Sequence, residues 1–137
     1  MKSSKLWSLF ALLPLLLGVA YVQAQSEWLN VSNSDDNAYD IKSGSLEETM
    51  TKAGVEVATV IGRVNNLKTK RIDLEKWYVS VTDCNRELGK LVTLDLDGQY
   101  KHENAFVFEG GNVSSRIAQT ICDSMSLRTK TRQGKGI

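Results

Sequence analysis

The clearest pattern in this sequence is an alternation of apolar and polar residues around position 78. In an extended strand, the side chains of Trp77, Val79 and Val81 point to one side. Those of Lys76 and Tyr78 point to the other side. The alternation predicts a β-strand with one face in the core and the other face toward solvent.

Shorter β-prone runs predict that this strand has neighbours in a sheet. We expect five further strands, at residues 28–32, 38–41, 55–64, 88–96 and 100–108. Five turn-favouring residues separate the first two runs, so we expect them to form a hairpin. Asp97-Gly98, between the last two runs, is a strong signal for a second hairpin.

Two segments carry helix signals. Residues 45–48 have the S-x-x-E form of a capping box, which predicts one or two helical turns that end at Gly54. Near the C-terminus, Asn112 or Ser114 can cap a second helix. The apolar residues of that helix recur three and four positions apart and form one stripe: Ile117, Ala118, Ile121, Cys122 and Met125.

These elements predict an α+β fold, an antiparallel β-sheet of about six strands packed by a C-terminal α-helix. We expect a single domain at residues 25–127. Residues 128–137 lack apolar periodicity and carry four basic side chains: Arg128, Lys130, Arg132 and Lys135. We expect them to form a flexible basic tail.

The first 24 residues have the features of a secretory signal. Lys2 and Lys5 precede a long apolar run, and a small-residue cleavage site ends at Ala24. The alternative is a retained membrane anchor, although Pro14 and Gly18 interrupt the run. No second long apolar run follows, so we expect no transmembrane segment after cleavage. No cysteine lies near the cleavage site, which predicts a periplasmic or secreted protein without a lipid anchor.

The charge balance argues against one class of partner. The chain has 17 Lys and Arg residues against 16 Asp and Glu residues. Without Lys2 and Lys5, the predicted exported part is close to neutral. Nucleic-acid-binding domains usually carry a large positive excess, so we expect no nucleic-acid partner.

The sequence contains two cysteines, Cys84 and Cys122, and both follow the predicted signal. An even count in an exported protein predicts one disulfide. A bridge that closes the loop of 38 residues between them would stabilise the fold by about 4 kcal/mol. The alternative is a pair of buried free thiols. Cys84 falls on the Thr82 side of the strand alternation. Either a bulge near Asp83 turns it toward the core, or the disulfide lies on the opposite face.

No catalytic constellation is recognisable in the sequence. His102 is the one histidine, and its place on a hairpin strand predicts a surface side chain rather than a general base. Asp95-x-Asp97-Gly98 resembles the start of a calcium loop, but Phe106 stands where the loop needs its glutamate. The phosphate-binding and nucleophile motifs do not occur. We expect no enzymatic activity, no metal and no other cofactor.

Basic residues between two strands are candidate contacts for an anionic partner. Lys68, Lys70 and Arg71 could meet a glycan, a lipid head group or an acidic protein surface. The alternative is that these cations only keep the surface soluble. Exposed aromatic side chains are stronger candidates for contact with a partner. The tyrosines to consider are Tyr39, Tyr78 and Tyr100.

Several short motifs follow one another along the predicted exported chain. They are Trp28 at the head of a strand, Tyr39-Asp40, Ser45-Leu46, the 55–64 strand, Asp83-Cys84, Leu94-Asp95-Leu96-Asp97-Gly98, Gly111-Asn112-Val113-Ser114-Ser115 and Ala118-Gln119-Thr120-Ile121-Cys122. Their order and the spacing of the cysteines resemble the surface-adhesin protein E family of Gram-negative bacteria. The resemblance implies an antiparallel sheet with a packed helix and a Cys84–Cys122 disulfide. It also implies a surface or periplasmic binding role, with host matrix or plasma proteins as partners. The founding adhesin is a lipoprotein, whereas no lipidation cysteine follows the signal here.

Two functional hypotheses follow. The first is an exported, non-enzymatic module that binds a protein partner, either a host matrix protein or an envelope protein. The second is a periplasmic inhibitor of a hydrolase such as lysozyme, because a small disulfide-stapled β domain suits rigid, preorganised inhibition. An exposed loop that projects an acidic or serine side chain would favour the inhibitor.

Overall fold

A computed structural model describes residues 27–135 of the chain, so the predicted signal at residues 1–24 lies outside the described residues. The described part contains seven strands and two helices. The strands are β1 Trp28–Asn33, β2 Asn37–Lys42, β3 Glu47–Met50, β4 Glu56–Asn66, β5 Ile72–Ser80, β6 Leu88–Leu94 and β7 Tyr100–Val107. The helices are α1 Val81–Arg86 and α2 Val113–Lys135. The predicted α+β class is confirmed.

All seven strands form one antiparallel sheet in the order β1-β2-β4-β5-β6-β7, with β3 paired to β4. The long strand β4 organises this sheet. Its C-terminal half pairs with β2, where Gly62 lies opposite Ile41. On the same edge, its N-terminal half pairs with β3, where Ala58 lies opposite Glu48. Its other edge pairs with β5 from Val57 to Asn65.

α2 packs on one side of the sheet, which we name the covered face, and the other side is the open face. Trp77 and Val79 of β5 point to the covered face and are 2% and 0% exposed. The predicted apolar stripe of α2 lies against them, and each of its five residues is buried. Asn112 caps α2, as predicted, because its Oδ1 accepts the Ser115 N–H at 2.9 Å.

The backbone approaches the Trp77 ring closely at Gly62. A Cβ atom at Gly62 would lie 2.5 Å from a ring carbon of Trp77, far inside van der Waals contact. The indole N–H of Trp77 donates to Glu75 Oε1 at 2.9 Å, and the Tyr39 ring lies 6.5 Å away, centroid to centroid. These contacts hold the largest core side chain in one orientation.

The predicted helical turn at residues 45–53 is wrong, because residues 47–50 form strand β3. The hydroxyl of Ser45 does not cap a helix. It donates to the Lys42 carbonyl at 2.7 Å and accepts the Ile61 N–H of β4 at 3.0 Å. The unpaired edge of β4 offers this segment more backbone partners than one isolated helical turn could satisfy internally.

Cys84 lies in a short helix, so neither predicted placement on a strand applies. Ser80 ends β5 and caps α1, because its Oγ accepts the Asp83 N–H at 3.0 Å. Glu87 closes the helix with a left-handed φ of 64°. The helical turn carries Cys84 out of the strand alternation and into the core beside α2.

Residues 128–135, within the predicted flexible tail, continue α2 as helix. Two arginines hold this extension against β3. Arg128 Nη2 donates to the Leu46 carbonyl at 2.6 Å. Arg128 and Arg132 also pair with Glu48 Oε2, at 3.4 and 3.1 Å. Arg128 and Arg132 therefore take part in packing, which a scan for apolar periodicity does not detect.

Candidate functional site

The predicted disulfide is present and joins the two helices. Cys84 of α1 and Cys122 of α2 are bonded, with their Cα atoms 5.4 Å apart and 38 positions apart in sequence. Because α1 directly follows β5, the bond ties the central strand to the covering helix. The alternative of two free thiols is excluded, since no free cysteine lies in the described part of the chain.

The structure places Lys68, Lys70 and Arg71 together in the exposed turn between β4 and β5. Two of these cations already have carboxylate partners. Lys68 Nζ lies 3.0 Å from Asp36, and Arg71 Nε lies 3.2 Å from Asp73. Partner binding at this turn stays a prediction, and the two ion pairs reduce the positive potential that the sequence suggests.

His102, the candidate general base, and Asp95, in the candidate calcium loop, make local structural contacts. His102 is exposed on β7, as predicted, and its ring nitrogen lies 3.5 Å from the Asn104 amide. Asp95 Oδ1 accepts the backbone N–H groups of Asp97 and Gln99, both at 2.9 Å, and so closes the β6–β7 turn. Between residues 27 and 135, no cluster of three or more His, Cys, Asp or Glu side chains could hold a metal ion.

The open face carries a ring of apolar side chains around one cation. Lys76 lies at its centre, with Leu74 and Tyr78 two positions before and after it in β5. Its cross-strand partners are Ile61 of β4 and Leu94 of β6. Side chains related in these two ways share a face of the sheet and lie next to one another. We name these five residues the Lys76 patch.

The cations around the Lys76 patch differ in their pairing. Arg63 of β4 donates twice to Asp40 Oδ2, at 2.9 and 2.7 Å, and Lys90 of β6 lies 2.9 Å from Glu103. The Lys90 ammonium lowers the pKa of Glu103, because it donates a hydrogen bond to the charged carboxylate. Lys76 has no such carboxylate partner within residues 27–135.

Exposed apolar residues and a depression extend the Lys76 patch. Leu74 is 42% exposed, Ile72 is 53% exposed, and Tyr100, which pairs with Leu94, is 61% exposed. A depression of about 610 Å³ lies beside Tyr78 and Leu94, between the β3–β4 and β6–β7 turns. A partner would therefore meet a largely apolar surface with Lys76 at its centre and a depression beside it.

A second concavity lies on the covered face, where α2 leaves one end of the sheet free. This groove has a volume of about 540 Å³ and opens between the first turn of α2 and the neighbouring strands. Its apolar walls include Tyr39, Val64, Trp77 and Leu91, and its acidic residues are Asp73 and Glu75. Local sequence patterns do not predict this groove, because its walls come from β2, β4, β5, β6, β7 and α2.

Glu75 is the most buried acidic side chain of the groove, at 7% exposure. Lys101 Nζ lies 2.7 Å from its Oε2 and neutralises it. The hydrogen bond to Glu75 raises the pKa of Lys101. Asp73, by contrast, is half exposed and holds Arg71 with Oδ1 alone.

A comparison of the chain with protein-family models, with curated proteins and with solved structures finds no significant match. The likeness to the surface-adhesin protein E family therefore stays a prediction made from the residues. Within residues 27–135, neither helix combines the length and the apolar content that a membrane crossing requires.

Proposed function

We propose that this chain is an exported, non-enzymatic binding module of the surface-adhesin E type, which holds a protein partner on the open face of its sheet. Export is supported by the Cys84–Cys122 bond, because disulfides form and persist in oxidising compartments such as the periplasm and the cell exterior. The same bond fixes the covering helix to the sheet, so the open face is a preorganised surface.

The observation that carries the proposal is the Lys76 patch. Apolar side chains grouped on an accessible face mark interaction sites more often than isolated ones do. Lys76, at the centre of this group, has no ion pair with any residue between 27 and 135, and such a cation favours a complementary anion. The partner we expect is a host matrix or envelope protein that presents a carboxylate among apolar side chains.

The test compares variants of the open face with a matched variant elsewhere. Lys76→Met removes the charge and keeps the apolar stem, and Leu74→Asp breaks the apolar ring. Leu127→Asp makes the same kind of change at a 64% exposed position of α2 and serves as the control. Each immobilised protein is incubated with purified matrix and plasma proteins and with envelope extract, and retained proteins are identified by mass spectrometry.

We expect the wild type and Leu127→Asp to retain the same partner. Retention should fall by about tenfold or more for Leu74→Asp and by a smaller factor for Lys76→Met. Retention of no protein at micromolar concentration by the wild type would count against a binding module. Equal retention by all four proteins would place the contact elsewhere on the surface.

A rigid exposed loop favours the second candidate, a hydrolase inhibitor. The β6–β7 turn exposes Leu96 and Asp97, while the Asp95 side chain fixes the turn from inside. An acidic side chain on a fixed, protruding turn can enter an active-site cleft. If the target is lysozyme, excess protein lowers the lytic rate and Asp97→Asn restores it. An unchanged lytic rate removes this target.

A further inference from the structure

The groove on the covered face has the size and the fixed walls of a small-molecule site. Its volume of about 540 Å³ falls within the range of ligand pockets. Trp77 forms part of its floor and is held by Gly62 beneath the ring and by Glu75 at the indole nitrogen. A ligand would therefore meet walls that are already in place, so little ordering is needed on binding.

The apolar side chains of the groove come from five different elements. Val64 of β4, Leu91 of β6 and Ile117 of α2 surround the Trp77 floor of β5, and the Tyr39 ring stands at an interplanar angle of 47° to the indole. Such walls take an apolar or aromatic body. Aromatic rings also attract a cation placed near their faces.

The carboxylates of the groove are those of Asp73 and Glu75. Among the described residues, His102 is the one basic residue that lines it, and no Lys or Arg does. Lys101 satisfies Glu75, which leaves Asp73 as the carboxylate that can take a ligand. Arg71 occupies Oδ1 of Asp73, and Oδ2 accepts no hydrogen bond from residues 27–135. A cationic group can therefore approach Asp73 without displacing an existing contact.

We propose that this groove is a binding site for small organic ammonium compounds that carry an apolar or aromatic body. The ammonium group pairs with Asp73, and the body packs against Val64, Leu91 and the rings of Trp77 and Tyr39. The site lies on the face opposite the Lys76 patch and does not depend on a protein partner there. Either surface can function if the other does not.

The test uses three probes that share a phenylethyl body and differ in charge: phenethylammonium, 2-phenylethanol and 3-phenylpropanoate. Each is titrated into the ¹⁵N-labelled protein, and backbone amide shifts give both the affinity and the location. We expect shifts around the groove, with phenethylammonium about fivefold tighter than the alcohol, as for a partly exposed ion pair. The phenylpropanoate should bind most weakly, and added salt should reduce the advantage of the cation.

Two variants and one control locate the contact. Asp73→Asn should bring the affinity for phenethylammonium down to that for the alcohol and leave the alcohol unchanged. Val64→Trp should fill the groove and abolish binding of both. Asp123→Asn removes the same charge from an exposed position of α2 and should change nothing. If Val64→Trp does not fold, Asp73→Asn still tests whether the Asp73 carboxylate binds the ammonium group.

Three results would overturn the proposal. The first is the absence of a saturable shift at millimolar phenethylammonium, or shifts that map outside the groove. The second is equal affinity for the cation and the alcohol, or a preference for the anion. The third is an Asp73→Asn variant that keeps the selectivity for the cation.

Discussion

Trp77 and Tyr78 are neighbours in β5, yet they lie on opposite faces of the sheet and in different surroundings. Trp77 is 2% exposed beneath α2, whereas Tyr78 is half-buried on the open face. Both faces are rich in apolar residues, as Val60 and Ile61 show on the adjacent strand β4. The alternation of a strand divides residues between the faces, and only the placement of α2 decides which face becomes core.

Buried carboxylates are paired on both faces, and the open face differs in carrying Lys76. On the covered face, Glu75 is buried and has both a cation and the Trp77 N–H as partners. On the open face, Asp40 is buried at 6% exposure and is likewise held by Arg63 and Asn30. Buried charge is costly unless it is paired, which explains both arrangements. Lys76, which forms no ion pair within residues 27–135, lies on the water-accessible open face, so its charge needs no buried partner.

The comparison of the two faces predicts that alanine substitutions at Trp77 and Tyr78 differ greatly in their effect on the free energy of unfolding. Trp77→Ala should lower the free energy of unfolding by about 3–5 kcal/mol, because it removes the largest core side chain and leaves a cavity. Tyr78→Ala should cost about 1 kcal/mol. Urea unfolding followed by circular dichroism measures both. Equal losses at the two positions would contradict the assignment of the faces.

The disulfide holds α2 against the covered face, so its removal should have the second largest effect on stability. Cys84→Ser should lower the free energy of unfolding by roughly 2–5 kcal/mol. Hydrogen exchange should rise in α2 before it rises in the sheet, since α2 loses its covalent tie to β5. Thermal melts and exchange mass spectrometry check this.

Cys122→Ser is the matched variant for the disulfide, and the double variant should cost no more than either single one. Variants that melt with the wild type would argue against a stabilising bridge. So would two free thiols in the exported protein, measured as intact mass with and without a thiol-alkylating reagent.

A smaller effect should appear where α2 extends beyond the core. Glu48→Gln removes the partner of Arg128 and Arg132, and exposed ion pairs contribute about 0.2–1 kcal/mol. We expect faster amide exchange in the last two turns of α2 and little change elsewhere. Glu47→Gln, at the neighbouring exposed position, is the control. Identical exchange in the two variants would show that Glu48 does not hold the helix end.

The smallest expected effect is on the pH dependence of folding stability. Glu75 raises the pKa of Lys101 above its ordinary value of 10.5. A cation whose pKa is higher in the folded state adds stability that is fully present below 10.5 and is lost as the pH rises through the raised value. The wild type should therefore lose stability relative to Lys101→Met at alkaline pH. Urea unfolding of both proteins at neutral and alkaline pH measures the difference in their free energies of unfolding. A difference that does not change with pH would contradict the electrostatic coupling of Lys101 to Glu75.

The elements predicted from local pattern agree with the structure where the pattern itself supplies the interaction. The alternation around Tyr78 predicts β5 and its faces. The stripe around Ile121 and the cap at Asn112 predict the start and the buried side of α2. The two cysteines of the chain allow one intramolecular pairing. In each case the deciding residues lie within a few positions of one another or are the only candidates.

The tertiary structure decided the features that depend on residues distant in sequence. Residues 45–53 have a helix signal, but the hydroxyl of Ser45 and the free edge of β4 make residues 47–50 a strand. The basic end of α2 is held by Glu48, about 80 positions earlier in the sequence. Lys68 of the β4–β5 turn is paired with Asp36, which lies between β1 and β2. The groove and the Lys76 patch likewise arise only when several strands are brought side by side, because local pattern encodes which way a side chain points and not which side chain it meets.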